Sequence, residues 1–317
     1  MIRRRPLIAA AALAPLAAPH IANAQAARTV KMGSLRLIHS MPPHFYQRFA
    51  PAGMTIEIIT FDSPTDCKNA VVTRSVEFGA FGIAAGTLGA AASEPVVVVG
   101  AFSNKGMGVI SKAGSDIRRV ADLRGKRVGI WPGSTQEVFI LERLRQEGLR
   151  VRDITPVRVP FGEMNAMLSR GDIDAYVGAE PGPGLSITSG VGQLVEYPYG
   201  TAMGGLNMIF ATSEEMIAQD PALVRNMLGI QRRAAEHMMA NLPEVAEATV
   251  RILGAPRAAV DHAFAANNIE YVWKLDDTVL GQARTYAQQM LEMRQIRQLP
   301  DFAKFLNPRF SNEVATS

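Results

Sequence analysis

Residues 126–148 contain the pattern in this sequence that is best suited to hold a small ligand. A short strand run is broken by a Pro-Gly pair, and Ser134 then stands at the expected N-cap of a helix. Glu137 follows three residues later and completes an S-x-x-E capping box. The turn leaves unpaired backbone N–H groups beside the hydroxyls of Ser134 and Thr135, which suits a small anionic or polar ligand. The alternative is a well-capped helix that binds nothing, since capping boxes are common.

A second hydroxyl-capped helix start lies in the first half of the chain, at residues 63–66. Ser63 is the predicted N-cap, Pro64 takes N1 and Asp66 takes N3. In doubly wound sheets, ligands bind beyond the carboxyl ends of the strands. This rule places five segments near a cleft: residues 36–41, 63–66, 81–82, 133–135 and 179–181. Two helix N-termini that face each other across the cleft would fix an anion without a metal.

Each candidate residue also has a purely structural interpretation. Ser63 and Ser134 are explained as helix caps, and Arg36 as a solvated surface charge. Phe81 suits a core position, and the Glu-Pro pair at Glu180 suits a turn. The ligand-site hypothesis therefore depends on the convergence of these segments in space.

The order of predicted elements favours two similar α/β halves followed by a helical tail. Strand and helix signals alternate up to residue 211 and divide near residue 105. After residue 211 the sequence predicts helices over residues 221–239, 243–253, 257–266 and 277–293. This is the order expected of a two-lobed clamp in which the second lobe is inserted into the first.

The N-terminus has the features of a secretory signal peptide. Three arginines precede a short apolar run, residues 7–18, and an Ala-x-Ala motif ends at Ala24. We expect cleavage near Ala24 and Sec export rather than twin-arginine export, because Pro6 follows the arginines. The predicted product is a soluble periplasmic protein.

Charge and cysteine content exclude two classes of protein. The 317-residue chain is formally +4, but the leader carries three arginines and no acidic residue. The remainder is nearly balanced, so a basic nucleic-acid footprint is not supported. Cys67 is the only cysteine, which excludes an internal disulfide.

The sequence lacks the common motifs for catalysis and for metal binding. There is no G-x-S-x-G elbow and no Walker loop. The histidines form no H-x-x-x-H pattern, so no metal is expected; they are His20, His39, His44, His237 and His262. Cys67 follows the Ser63 cap by one helical turn, and a nucleophilic thiol with a histidine partner is conceivable. A buried structural thiol is the commoner situation.

Several motifs resemble the periplasmic solute-binding proteins of the nitrate/sulfonate/taurine ABC-transporter family. They are DLRGKRVG at residues 122–129, PGSTQE at 132–137, and the unit at 163–177 followed by Glu180-Pro181. SVEFG at residues 75–79 looks like the equivalent unit of the first half, although Arg74 and Glu77 replace the Gly and Asp usual there. The resemblance covers nearly all of the chain after the leader.

The resemblance implies a type II periplasmic binding protein fold, α/β, with two lobes that close on a ligand. Each lobe would be a mostly parallel sheet flanked by helices, with a helical C-terminal tail. Lobe I would comprise residues 28–106 and 210–317, and lobe II residues 107–209, with hinge strands near 105–109 and 205–209. The implied partners are a small-molecule ligand and the membrane permease and ATPase of the transporter. We expect a monomer without catalytic activity, cofactor, metal or nucleic-acid partner.

By similarity, both lobes supply ligand contacts. The first lobe would contribute Arg36, His39, Ser40, Ser63, Thr65, Phe81 and Gly82, and the second Gly133, Ser134, Thr135 and Glu180. A carboxylate at Glu180 would repel a purely anionic ligand unless Arg36 or a ligand amine paired with it. A sulfonate, a taurine-like zwitterion, nitrate and an amine heterocycle therefore all stay open. Two alternatives are an enzyme of the same fold that acts on a pyrimidine precursor or a sulfinate, and a periplasmic sensor partner that presents bound ligand to a membrane receptor.

Overall fold

The computed structural model describes residues 28–267 and 269–316, so the predicted signal peptide lies outside the described residues. The strands are β1 (Arg28–Leu35), β2 (Met54–Phe61), β3 (Phe78–Gly82), β4 (Val96–Asn104), β5 (Met107–Lys112), β6 (Arg127–Ile130), β7 (Thr155–Arg158), β8 (Ala175–Ala179), β9 (Gly192–Glu196), β10 (Leu206–Ser213) and β11 (Glu270–Tyr271). They form two sheets, in the order β11-β4-β10-β3-β1-β2 and β7-β6-β8-β5-β9.

Thirteen α-helices flank these sheets within the described residues. They are α1 (Pro43–Tyr46), α2 (Pro64–Val72), α3 (Ile83–Ala91), α4 (Thr135–Gln146), α5 (Met164–Arg170), α6 (Gly182–Thr188), α7 (Glu214–Gln219), α8 (Pro221–Ala240), α9 (Leu242–Leu253), α10 (Arg257–Ala265), α11 (Asp277–Glu292), α12 (Phe302–Phe305) and α13 (Arg309–Ala315). The four helices predicted after residue 211 are confirmed as α8, α9, α10 and α11. None of the described helices is long and apolar enough to cross a membrane.

Both sheets are mixed, which corrects the prediction of mostly parallel sheets. β1 runs parallel to β2 and β3, and β6 runs parallel to β7 and β8. In contrast, β10 is antiparallel to β3 and β4, and β5 is antiparallel to β8 and β9. The reason is topological, because β5 carries the chain into the second sheet and β10 carries it back.

The two crossings between the sheets lie side by side. β4 ends at Asn104 and β5 begins at Met107, while the return crossing ends where β10 begins at Leu206. The Lys105 N–H donates to the Gly205 carbonyl oxygen at 2.6 Å. The division into lobe I and lobe II remains a proposal, and β10 belongs to the first sheet from Leu206 onward.

Helix α4 joins the cores of the two lobes. Its side chains Val138 and Phe139 are fully buried in the same hydrophobic cluster as the first sheet. The Phe139 ring meets the Tyr286 ring of α11 edge-on, with centroids 5.5 Å apart and an interplanar angle of 84°. The lobes are therefore packed against each other at the start of α4.

Candidate functional site

The start of α4 has the predicted cap, with one difference in hydrogen bonding. Ser134 Oγ accepts from the Glu137 N–H at 3.1 Å, as a capping box requires. The Glu137 carboxylate accepts from the Gly133 N–H at 2.7 Å rather than from Ser134, so the reciprocal bond is displaced by one residue. Gly133 has φ of 76°, which permits this tight turn. Burial raises the pKa of Glu137 above its usual value.

The two predicted helix starts meet across the lobes. A Cβ atom added to Gly133 would lie 3.5 Å from Thr65 Oγ1, and one added to Gly82 would overlap Thr135 Oγ1. Thr135 Oγ1 donates to the Asn207 carbonyl oxygen of β10 at 3.3 Å. We call this contact of Thr65 and Gly82 with Gly133 and Thr135 the seam. The predicted convergence of residues 63–66, 81–82 and 133–135 is therefore present, although direct ligand contact by these residues stays a prediction.

Three of the predicted first-lobe residues, His39, Ser40 and Phe81, are buried against the first crossing or in the core. Burial lowers the pKa of His39 to about 4, so the imidazole is neutral. Its Nε2 lies 2.9 Å from the Lys105 carbonyl oxygen, to which a neutral ring donates. Ser40 Oγ accepts from the Leu35 N–H at 3.2 Å. These contacts hold the loop after β1 against the crossing between the lobes.

Beside the seam, a cavity of about 270 Å³ opens between the lobes at the carboxyl ends of β1, β7 and β8. We call it the inter-lobe cavity. It is lined by Arg36, Leu37, Phe161, Gly162, Asn165, Ala179, Pro181, Gly182, Leu185, Ile252 and Leu253. Among these residues Arg36 is the only charged one and Asn165 is the only other polar side chain. The rest of the lining is apolar or glycine.

Arg36 is free to exchange its present partner for a ligand. Its side chain is 74% exposed, and its Nε lies 3.3 Å from Asp62 Oδ1, which is also exposed. An ion pair so open to water contributes little stability. Arg36 is thus the one predicted site residue that lines the inter-lobe cavity in the described structure. The predictions missed Phe161, Asn165 and the two α9 residues, because the sequence did not show where the helical tail packs.

Glu180 is not among the residues that line the inter-lobe cavity. Its fully buried carboxylate accepts from Asn267 Nδ2 at 2.9 Å and from the Gly184 N–H at 2.8 Å. Both donors come from the contact between α6 and the segment after α10. Burial raises the pKa of Glu180 to about 7. The carboxylate therefore has protein hydrogen-bond donors on both of its oxygens.

The Cys67 thiol is placed as a structural group. It is fully buried in α2, and its Sγ donates to the Ala80 carbonyl oxygen at 3.7 Å. Burial raises its pKa well above the ordinary value, which disfavours the nucleophilic thiolate. Over residues 28–267 and 269–316, no group of three or more His, Cys, Asp or Glu side chains could hold a metal ion.

Two β-sheets flanked by helices are connected by two adjacent chain crossings and have a cavity between them. This arrangement defines a type II periplasmic binding protein fold. Residues 48–246 match the family described as NMT1/THI5 like, and the chain belongs to this family. A provisionally named aliphatic sulfonates-binding protein of Escherichia coli K12 is 28% identical over 128 residues, which is 40% of each chain. A binding protein of Brucella abortus is 24% identical over 196 residues, so the alignment spans only 58% of that relative.

Solved structures support the predicted fold. The alkanesulfonate-binding protein SsuA of Xanthomonas axonopodis, bound to MOPS, has a TM-score of 0.78 at 22% identity over 88% of this chain and 98% of that one. The periplasmic nitrate-binding protein NrtA of Synechocystis has a TM-score of 0.76 at 16% identity, over 92% and 89%. The desulfurization enzyme DSZB shares the fold, with a TM-score of 0.68 at 16% identity, over 91% and 99%. The predicted family resemblance and the two-lobed α/β fold are confirmed.

Proposed function

We propose that this chain is the solute-binding component of an ABC importer and that it holds a small organic anion in the inter-lobe cavity. The observation that carries the proposal is the single positive charge of Arg36 in the lining of a mostly apolar cavity between two lobes. The names of the similar proteins, which bind aliphatic sulfonates, alkanesulfonates or nitrate, support the same class of ligand.

The lining favours an alkyl or aryl sulfonate over the other ligands that the sequence left open. The sulfonate would take charge-assisted hydrogen bonds from Arg36 and a further bond from the Asn165 amide. Its apolar part would cover side chains such as Leu37 and Phe161. Nitrate has no apolar part to match this lining. The amine of a taurine-like zwitterion or a heterocycle would find no carboxylate among the lining residues, because Glu180 is bonded to protein donors.

Such a ligand would stabilise the closed arrangement of the lobes. Arg36 follows β1 of the first sheet, whereas Asn165 belongs to α5 beside the second sheet. A ligand that touches both has a differential affinity for the closed state, which is what drives a hinge motion. In this proposal, seam residues such as Gly133 and Thr135 contribute by holding the lobes together.

The remaining parts of the proposal concern location and partners. The leader at residues 1–24 would direct the chain to the periplasm, where it would work as a monomer. It would deliver its ligand to a membrane permease driven by an ATPase. Capture and delivery need no cofactor or metal. We propose that the chain is not an enzyme, because the buried Cys67 thiol lacks the environment of a nucleophile, although DSZB shares the fold.

Titration calorimetry with the Arg36→Ala variant tests the proposal. The mature protein is expected to bind 1-butanesulfonate more tightly than taurine or nitrate. Arg36→Ala should weaken binding by roughly 10- to 100-fold, since hydrogen bonds to charged groups contribute about 1.5–3 kcal/mol. Arg257→Ala is the matched control, because Arg257 is an exposed arginine that pairs with Asp261 away from the cavity. Equal affinities of the two variants, or no sulfonate binding by the mature protein, would overturn the proposal.

A further inference from the structure

A second cavity, of about 220 Å³, also borders α9. We call it the second cavity. It is lined by His44, Phe45, Arg48, Glu244, Glu247, Ala248, Arg251 and Ile252. Ile252 is the one residue that belongs to the lining of both cavities. The side chain of Ile252 is therefore a wall between them.

The position of Ile252 on α9 is unusual for an isoleucine. The buried face of the helix includes Val245, Ala248 and Thr249, and helical spacing continues this face to Ile252. Ile252 is nevertheless 37% exposed, one of five large apolar side chains so exposed in the described part of the chain. The earlier turns of α9 pack against core side chains. In the last turn, Ile252 borders two cavities instead.

An apolar ligand group would gain free energy by covering Ile252. Burial of apolar surface contributes about 25 cal/mol per Å², or about 0.8 kcal/mol for each buried methylene. In the inter-lobe cavity, Leu253 and Leu185 continue the apolar surface that begins at Ile252. A chain that extends from an anionic group at Arg36 along this surface would end against the Ile252 side chain.

The second cavity has a more polar lining than the inter-lobe cavity. Arg48 Nη2 lies 2.7 Å from Glu244 Oε1, and His237 Nε2 lies 2.8 Å from Glu244 Oε2. These polar groups bond to one another, and besides Ile252 the apolar lining of the second cavity consists of Phe45 and Ala248. A longer chain could use that surface only if Ile252 were smaller.

We propose that Ile252 is a specificity-determining residue that limits the length of the apolar tail of the ligand. The inference rests on the proposed function, since it takes the ligand to be an organic anion held at Arg36. It adds that the preferred ligands have a tail that ends at Ile252, and that the Ile252 side chain keeps this tail out of the second cavity.

The test is a chain-length series measured by calorimetry, from ethanesulfonate to decanesulfonate. With the unaltered protein, affinity should rise by roughly fourfold per methylene up to an optimum, because each buried methylene contributes about 0.8 kcal/mol, and then level off or fall. Ile252→Ala should shift the optimum to a longer chain, and Ile252→Phe should shift it to a shorter one. Leu194→Ala is the matched control, because Leu194 is 40% exposed in β9 and lines neither cavity.

The outcomes separate this inference from the proposed function. If Arg36→Ala weakens binding while both Ile252 variants keep the original chain-length profile, the role of Ile252 is overturned and the proposed function stands. If the unaltered protein binds no member of the series, both are overturned. If the optimal chain length shifts in opposite directions in the two Ile252 variants and does not shift in Leu194→Ala, the role of Ile252 is supported.

Discussion

The seam and the inter-lobe cavity are neighbouring parts of one interface, yet they are built from different residues. At the seam, Gly82 and Gly133 lack side chains, so Thr135 and Thr65 reach across and the lobes touch. At the cavity, the lining includes larger side chains such as Arg36, Leu37 and Phe161, which surround a space between the lobes. Small residues therefore set how closely the lobes approach at the seam, whereas larger residues surround the inter-lobe cavity.

The strongest way to break the seam is Gly82→Ala. The backbone of Gly82 suits alanine, with φ of −61° and ψ of 141°, so the effect would come from the contact alone. The new Cβ would overlap Thr135 Oγ1, and overpacking typically costs about 1–3 kcal/mol. We expect sulfonate affinity to fall by roughly 5- to 150-fold. Calorimetry measures the loss, and small-angle scattering should show a larger radius of gyration.

A second variant distinguishes steric overlap from general damage to the fold. Gly82→Ala combined with Thr135→Ala removes the oxygen that the new methyl group would meet. The double variant should therefore bind as Thr135→Ala alone does, and it should recover the compact radius. If it binds as weakly as Gly82→Ala alone, the seam contact does not control closure.

The next effect concerns Glu180, which lies behind the cavity and joins the lobes through Asn267. Because burial raises its pKa from 4.5 to about 7, the folded state binds a proton more tightly than the unfolded state. The associated stability is fully present below pH 4.5 and is lost as the pH rises through 7. Buried His39, with its pKa lowered to about 4, has the opposite dependence below pH 6.5. The window for Glu180 is therefore pH 6.5 to 8.

Urea unfolding over this window measures the contribution of Glu180. The free energy of unfolding should fall by about 1 kcal/mol from pH 6.5 to pH 8, and Glu180→Gln should remove most of this slope. The nearby Tyr176 and Tyr199 have pKa values raised by burial and stay neutral throughout. A slope that is equal in both proteins would assign the pH dependence to other groups. If Glu180→Gln binds the sulfonate with unchanged affinity, the Glu180 carboxylate makes no contact with the ligand.

Local signals predicted much of the fold, and long-range packing explains what they missed. Ser63 and Ser134 cap their helices as the sequence indicated, because a cap depends on a few consecutive residues. Helix α6 was not predicted, since its Gly-Pro-Gly start disfavours a helix; it packs closely on α10, where a Cβ on Gly184 would lie 2.5 Å from the Ala259 carbonyl oxygen. A tertiary contact of this kind leaves no periodic signal in the sequence.

The candidate site shows the same division. Arg36 and the helix starts were identified because each follows a predicted strand. Ile252 was not, because its place at the cavity depends on how the tail after β10 folds back over both lobes. The partner of Glu180 could not be predicted for the same reason, since Asn267 is distant in sequence. Residues at strand ends can thus be predicted locally, whereas their partners require the tertiary structure.

The smallest expected effects separate two adjacent hydroxyl groups that look equivalent in the sequence. Ser134 Oγ caps its own helix, so Ser134→Ala should lower the free energy of unfolding by about 1 kcal/mol and leave sulfonate affinity within twofold. Thr135 Oγ1 bonds to Asn207 of the first sheet, so Thr135→Val should weaken binding by roughly two- to tenfold, the equivalent of one hydrogen bond, and should also lower the free energy of unfolding by about 1 kcal/mol. Urea unfolding and calorimetry on both variants decide the matter. If Ser134→Ala instead weakens binding more than Thr135→Val, the Ser134 hydroxyl contacts the ligand, and the seam is part of the binding site rather than its support.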